Sequence, residues 1–411
     1  MSILVQKFGG TSLADAHRIH LAARRAVRAK LDGRQIVMVA SAMGHTTDRL
    51  VELAARVTRR PARREMDMLL STGEQVSVAL LAMAIHEAGQ QAISLTGAQI
   101  GMLTDSAHTA ARIQSIDGAK IRSHLELGRI VIVAGFQGVD PDFNITTLGR
   151  GGSDTTAVAL AAALRAEMCE IYTDVDGVYT SDPRVVPLAR RIEAISYDEM
   201  LEMASLGAGV MHSRSIELGK KFDVPIHVRS SFTDTPGTMI MSQPPGMEEV
   251  VVRGATLKPN VARVTFHGLP NQPGVSADVF SELSARRINI DDIIQNVSTD
   301  GRRVTVAFTV SGDERGEAEA VAALIGQRHP GVEVSLSETL SRVSVVGVGM
   351  RSHSGVAARL FKALADARIN VENISTSEIV ISVLTAAADG ERAVQAAHAA
   401  FGLAEGAGQT S

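Results

Sequence analysis

The sequence predicts an α/β protein in two parts. A mostly parallel sheet covered by helices on both faces occupies residues 1–245, and two ferredoxin-like βαββαβ modules follow it. Three observations predict this. Short runs that are apolar throughout, such as Ile36-Val37-Met38-Val39 and Ile130-Val131-Ile132-Val133, alternate with helical stretches, as in strands buried on both faces. The composition breaks at Ser242-Gln243-Pro244-Pro245-Gly246, a linker. Beyond it the chain repeats itself: Arg263 to Gly268 matches Arg342 to Gly347, and Arg287-Ile288-Asn289-Ile290 matches Arg368-Ile369-Asn370-Val371.

Bulk properties agree. A length of 411 residues is too great for one core and implies two or three domains. Apolar residues make up 45% and charged residues 21%, as in a globular enzyme. A net charge of −4 gives no sign of a nucleic-acid or anionic-membrane partner. The single cysteine, Cys169, excludes a disulfide within the chain and reads as a buried structural thiol. No signal peptide precedes the first strand, and no apolar run is expected to reach the ~18 residues of a membrane span. A cytoplasmic location is therefore expected.

The elements follow in order. Ile3 to Val5 read as a buried strand that Gly9-Gly10 break, with Thr11 or Ser12 able to cap the helix over 14–31. Asp32-Gly33 close that helix. A strand over Gln35 to Ala40 ends at Ser41-Ala42-Met43-Gly44, and Thr46-Thr47-Asp48 open another helix. Ser71-Thr72-Gly73-Glu74 has capping-box spacing, which predicts a helix start there and a long helix to Ala88. Further strands are expected at 92–95, 130–133, 170–173 and 225–228, and a helix over 157–164. Each repeat reads strand, glycine loop, helix, strand, a further strand (304–310; 379–384) and helix.

Two glycine clusters could carry chemistry. Lys7-Phe8-Gly9-Gly10-Thr11-Ser12 is strand, glycine turn and helix start, which presents backbone N–H groups and a positive dipole end to an anion. Leu148-Gly149-Arg150-Gly151-Gly152-Ser153-Asp154 precedes a helix, and Arg150 adds a planar fork suited to carboxylate or phosphate. Ser153 or Asp154 could also serve as a plain N-cap. A carboxylate in an anion site is sensible only if it holds a lysine or a metal, which singles out Asp154. A third segment, Ile171 to Arg184, runs from a strand into an Asp/Gly/Pro loop, and strand C-termini are where open α/β sheets bind ligands. Walker A, zinc and Ser/His/Asp patterns are absent from the sequence. Two anion cradles with Lys7, Arg150 and Asp154 point to phosphoryl transfer by positioning and charge neutralisation.

With these segments side by side, the chain resembles the aspartate kinases, of the amino-acid kinase fold. Lys7 to Ser12, Leu148 to Asp154 and Tyr172 to Arg184 match that family's signatures, and the tandem repeat resembles its two ACT domains. The resemblance implies residues 1–245 as catalytic domain, 246–338 as first ACT domain with linker, and 339–411 as second ACT domain and tail. It implies ATP-dependent phosphorylation of the L-aspartate β-carboxylate to 4-phospho-L-aspartate, the first step towards lysine, threonine and methionine, with Mg²⁺ bridging the ATP phosphates. Lys7 would neutralise the moving phosphoryl group, with Gly9 and Gly10 donating N–H groups and Asp154 holding Lys7. Thr47, Glu74, Arg150, Gly151, Gly152 and Ser153 would surround aspartate, Glu74 meeting its amino group and Arg150 a carboxylate. Lys7, Phe8, Gly9, Gly10, Ser41, Thr173, Asp174, Tyr179 and Arg184 would line the ATP pocket.

Many relatives carry a lysine in the segment written here Gly207 to His212, where this chain has Gly209, so residues 207–212 stay outside the expected site. The ACT pair implies feedback by lysine and/or threonine, bound near Gly274, Val275, Ser276 and Gln295 of one repeat and Asn370 and Val371 of the other. It also implies a homodimer or higher, or a heterotetramer with an ACT-only subunit started internally at Met247. The rival readings are another amino-acid kinase, acting on glutamate or N-acetylglutamate, and a non-catalytic amino-acid sensor. The ACT pair and Glu74 argue against the first, and intact Lys7, Arg150 and Asp154 against the second.

Overall fold

The computed structural model describes residues 1–244, 251–337, 339–351 and 353–404, so Met247 lies outside the described residues. The chain forms two compact units, Met1–Tyr179 with Arg191–Met247, and Thr180–Arg190 with Glu248–Ser411. The loop 180–190 groups with the second unit.

The first unit opens with β1 (Ile3–Phe8), α1 (Ala16–Leu31), β2 (Gln35–Ala40), α2 (Thr46–Val57), α3 (Arg63–Glu87) and β3 (Ala92–Leu95). Then come β4 (Met102–Thr104), β5 (Ile113–Ile116), α4 (Ala119–Glu126), β6 (Ile130–Ala134), β7 (Gln137–Val139) and β8 (Ile145–Thr147). It closes with α5 (Gly152–Leu164), β9 (Met168–Thr173), β10 (Ala194–Ser196), α6 (Tyr197–Ser205), α7 (Ser213–Phe222), β11 (Ile226–Ser230) and β12 (Thr238–Met241). The large sheet runs β10-β12-β11-β9-β1-β2-β6-β3. Only β11 and β12 pair antiparallel, so the sheet is mostly parallel, as the continuous apolar runs require. Phe8 pairs with Ala40 and Tyr172, and Thr173 with Ser230, which places the ends of β1, β2, β9 and β11 on one edge. Cys169 is fully buried within β9, and burial raises its thiol pKa, so it is an inert core thiol.

Three helix starts differ from expectation. Neither Thr11 nor Ser12 caps α1; Thr11–Leu13 make a 3₁₀ turn, and Asp15 caps α1 by accepting from the Arg18 N–H. The spacing of Ser71 and Glu74 is not a capping box: α3 begins eight residues earlier, and Ser71 Oγ donates back to the Met68 carbonyl inside it. Gly73 is needed mid-helix, where a Cβ would stand 2.9 Å from the Ala42 Cβ. The third is α5, capped by left-handed Gly151 and not by Ser153 or Asp154. In addition α3 is, by length and composition, the one helix among the described residues long and apolar enough to cross a membrane. It is a core helix: Leu81 and Ile85 pack with Ile130 and Ile132 of β6, and it buries Asp67 and Glu74. A second sheet, β5-β4-β7-β8, has strands too short to read from periodicity, and it leads directly into the second glycine turn.

The second unit contains β13 (Gly254–Pro270), α8 (Val275–Ala285), β14 (Ile293–Val297), β15 (Arg303–Ser311), α9 (Arg315–Arg328) and β16 (Glu333–Leu336). These are followed by β17 (Leu340–Val346), α10 (Val356–Asp366), β18 (Asn373–Thr376), β19 (Val380–Ala386) and α11 (Gly390–Ala400). The first repeat is a full βαββαβ, with β16 paired to the second half of β13. Among the described residues the second lacks a last strand of its own. Its open edge at β17 is filled by the first half of β13, Gly254 to Lys258 pairing antiparallel with Val346 to Arg342. One long strand thus serves both repeats, and the second module begins before the first.

Candidate active site

The first glycine turn is held at the carboxyl edge of the sheet. Lys7, buried between Val39 and Ile171 in register, directs its Nζ to Asp154 Oδ1 at 2.5 Å. Phe8 stacks on Tyr172 with ring centroids 4.8 Å apart. Gly10 must be glycine, since a Cβ there would meet the Ala42 carbonyl at 2.9 Å and that of Gly44 at 3.0 Å. Gly44 N–H donates to the Gly10 carbonyl and Ser41 N–H to the Phe8 carbonyl, so the Ser41 turn is tied to the Lys7 turn. One expectation is corrected. The Gly9 N–H is already used by the Tyr172 carbonyl (3.1 Å), which closes the turn against β9, whereas Gly10 N–H has no protein partner among the described residues. Of the two glycines, Gly10 is the one able to donate to a ligand.

The second glycine turn leads into α5. Gly149 and Gly151 adopt φ of 76° and 70°, the left-handed region where glycine carries no steric cost. Gly151 also sits where a Cβ would overlap the His212 ring, so His212, left out of the expected site, packs on this turn. Arg214 donates to the Leu148 and Ala111 carbonyls, both at 2.9 Å, from the start of α7. Sequence reasoning missed both supports, because their partners lie more than 60 residues away and no local pattern marks them. Arg150 is exposed, with no side-chain partner among the described residues. Asp154 lies in the first turn of α5, and Ser153 beside it is buried against Gly135.

Glu74 faces the same region from the middle of α3. It is 3% exposed; Oε1 accepts the Ala42 N–H at 3.2 Å, while Oε2 is buried with no partner. Burial pushes its pKa up to about 8, against the opposing effect of the backbone hydrogen bonds. A buried carboxyl oxygen without a donor is costly to leave unpaired. Thr47 lies in the first turn of α2, partly exposed, beyond the Ser41–Gly44 turn.

The third segment is brought only partly to the site. Thr173 ends β9; its carbonyl takes Ser231 N–H (2.9 Å) and Ser231 Oγ (2.7 Å), and its hydroxyl donates to Asp174. Tyr179 donates to Asp176 at 2.8 Å. Arg184 falls in the loop that groups with the second unit, where Asp182 takes its guanidinium at 2.7 and 3.0 Å. In the second unit, Gly274 (φ 98°) precedes α8, Val275 begins it, and Ser276 Oγ donates to Gln295 Oε1 of β14 at 3.1 Å. Asn370 and Val371 follow α10, where Asn289 and Ile290 follow α8 in the first repeat, and no hydrogen bond among the described residues joins them to Ser276 or Gln295.

The amino acid kinase family model matches residues 2–230, and ACT domain models match 263–327 and 343–401. An aspartokinase of Geobacillus stearothermophilus is 50% identical over 98% of this chain and 98% of its own. The chain belongs to the aspartokinase family. Membership assigns it the phosphorylation of aspartate and a pair of ACT domains. Among solved aspartokinases, E. coli aspartokinase III in complex with aspartate and ADP is 28% identical with a TM-score of 0.81, covering 97% of this chain and 99% of that one. The same enzyme in complex with lysine and aspartate gives 27% identity and a TM-score of 0.78, with the same coverage.

Proposed function

We propose that this aspartokinase transfers the γ-phosphoryl group of ATP to the β-carboxylate of L-aspartate with Lys7, Asp154, Arg150 and Glu74 in distinct roles. The observation that carries the reading is the Lys7–Asp154 ion pair, which joins the two glycine turns. Asp154 aims Lys7, and Lys7 neutralises charge on the phosphoryl group as it moves, with the Gly10 N–H beside it. Arg150 takes an acceptor carboxylate by its fork, and the free Glu74 Oε2 takes the α-ammonium. Gly151, Gly152, Ser153 and Thr47 line the acceptor side. Ser41, Thr173 and Asp174 lie at the strand ends where the nucleotide would rest, with Tyr179 and Arg184 as the further nucleotide contacts that the family resemblance implies. Mg²⁺ would be held mainly by the ATP phosphates and water. The ion then supplies charge neutralisation at the phosphates. The cytoplasm, where ATP and free aspartate meet, is the expected location.

Trapping the acyl phosphate with hydroxylamine tests the reading. Turnover is expected with aspartate and not with glutamate or N-acetylglutamate. Equal use of glutamate would refute the acceptor assignment, and no turnover with any of the three would favour a sensor.

The E. coli homologue in complex with lysine makes lysine the first effector to test here, with threonine alone and the pair beside it. The site would lie at the start of α8, where Ser276 and Gln295 are joined. Ser276→Tyr is expected to weaken inhibition by at least tenfold in effector concentration, with uninhibited turnover within about twofold of wild type. Unchanged inhibition by lysine and threonine, singly and together, would remove this segment from the effector site. The edge strands β14 and β18 expose Ile293, Val297 and Ile374, so a dimer through these edges is the minimum assembly expected.

A further inference from the structure

We infer that Asp67 is a positioning residue for the acceptor, fixing the Arg150 turn against the same helix that carries Glu74. The inference rests on the roles proposed above for Glu74 and Arg150.

Asp67 is fully buried on α3. Its Oδ1 accepts the Thr147 hydroxyl at 2.5 Å, its Oδ2 meets His108 Nδ1 at 2.7 Å, and both oxygens lie 3.1 Å from the Thr109 N–H. None of these partners is local: they lie 41 to 80 residues away in sequence. Thr147 ends β8, three residues before Arg150. Thr109 holds φ of 71°, a conformation costly for a β-branched residue, and its carbonyl stands 3.0 Å from where a Gly149 Cβ would be. The Ala111 N–H closes the arrangement on the Thr147 carbonyl at 2.9 Å. One carboxylate therefore pins both the strand that enters the turn and the loop that lies against it.

A buried carboxylate is a poor way to gain stability, since its desolvation cancels much of what its hydrogen bonds return. Its placement points to geometry. Asp67 and Glu74 stand seven residues apart on one helix, two turns and ~10 Å along the axis, both on the buried face. Glu74 fixes the amino end of the acceptor. Asp67 fixes the turn whose arginine takes a carboxylate. With the side-chain carboxylate on Arg150, the rigid rise of α3 then sets the span between the two anchors, and that span differs between a four-carbon and a five-carbon amino dicarboxylate. A length error of one methylene is worth ~1–3 kcal/mol in such a site.

The test uses the full chain. Asp67→Ala is expected to raise the KM for aspartate at least tenfold, leave the KM for ATP within twofold, and narrow the aspartate-to-glutamate ratio of kcat/KM at least tenfold. Asp67→Asn keeps an acceptor for Thr147 and Thr109 and should lie between Ala and wild type. Thr147→Val removes the matching hydroxyl at nearly constant volume. It should raise the aspartate KM selectively, and it serves if Asp67→Ala fails to fold. The double variant should be no worse than Asp67→Ala alone. A parallel rise in both KM values, or unchanged aspartate KM and discrimination in folded Thr147→Val and Asp67→Asn, would overturn the inference. Arg150→Ala separates the layers. If it raises the aspartate KM and the Asp67 and Thr147 variants do not, positioning alone falls; if it changes nothing, the acceptor assignment falls as well.

Discussion

Lys7→Ala is expected to lower kcat by ~10²–10⁴ while leaving the KM for aspartate within about threefold. The charge that migrates during transfer sits on the phosphoryl oxygens, and Lys7 is the buried cation at the joint of the two glycine turns. Removing it has two effects of the same sign. The developing charge loses its counterion, and Asp154, now unneutralised in a poorly solvated place, repels it further. Asp154→Asn keeps the shape of the contact and removes the charge that aims the lysine, so a smaller loss of ~10–100-fold is expected. The double variant should fall no further than Lys7→Ala, because the aspartate has no task once the lysine is gone. Steady-state rates of ADP release, with thermal melts to confirm folding, measure all three. A Lys7→Ala enzyme within tenfold of wild type would remove electrostatic stabilisation by this residue from the mechanism.

The parts legible in the sequence are those whose signal is local. Apolar runs marked β1, β2, β6 and β9, and glycine clusters marked both turns, because a tight turn needs residues free of Cβ whatever surrounds it. Local signals also misled. Ser71 and Glu74 have capping-box spacing, yet Glu74 is buried mid-helix by contact with Ala42, a residue 32 positions earlier. Short strands such as β4 and β7 carry only three residues each, too few for a period to register. The repeat showed in the sequence, but not that β13 serves both copies, since pairing partners leave no trace in a single chain. Asp67 and Arg214 were invisible for the same reason: each acts through carbonyls, hydroxyls and N–H groups brought from elsewhere by the fold. Membership in the aspartokinase family explains why Lys7 and Asp154 could be paired in advance across ~150 residues.

Glu74→Gln is expected to lower kcat/KM for aspartate by ~30–1000-fold, from loss of a buried charge-assisted contact worth ~2–4 kcal/mol. Its pH behaviour is the sharper signature. With a pKa of about 8 the carboxyl is mostly protonated in the free enzyme at neutral pH, and only the carboxylate can accept the substrate ammonium as an ion pair. For wild type, kcat/KM should therefore rise with pH, reach half its plateau near 8 and level off above it, and near pH 7 aspartate binding should release close to one proton. Calorimetry in buffers of different ionisation enthalpy reads that release; Glu74→Gln should show neither the release nor the rising limb. Stability should move the other way. Unfolding lets Glu74 ionise near its ordinary value of 4.5, while the folded chain holds its proton to about 8, so the unfolded state binds fewer protons across that window. Wild-type stability then declines as pH rises from 4.5 to 8, and Glu74→Gln, which cannot ionise, escapes the decline. The variant should melt above wild type at pH 8, with the gap closing towards pH 4. Both signatures together would mark a glutamate that serves the substrate and not the fold. A Glu74→Gln enzyme that melts below wild type at pH 8, and keeps the rising limb, would show the carboxyl to be structural.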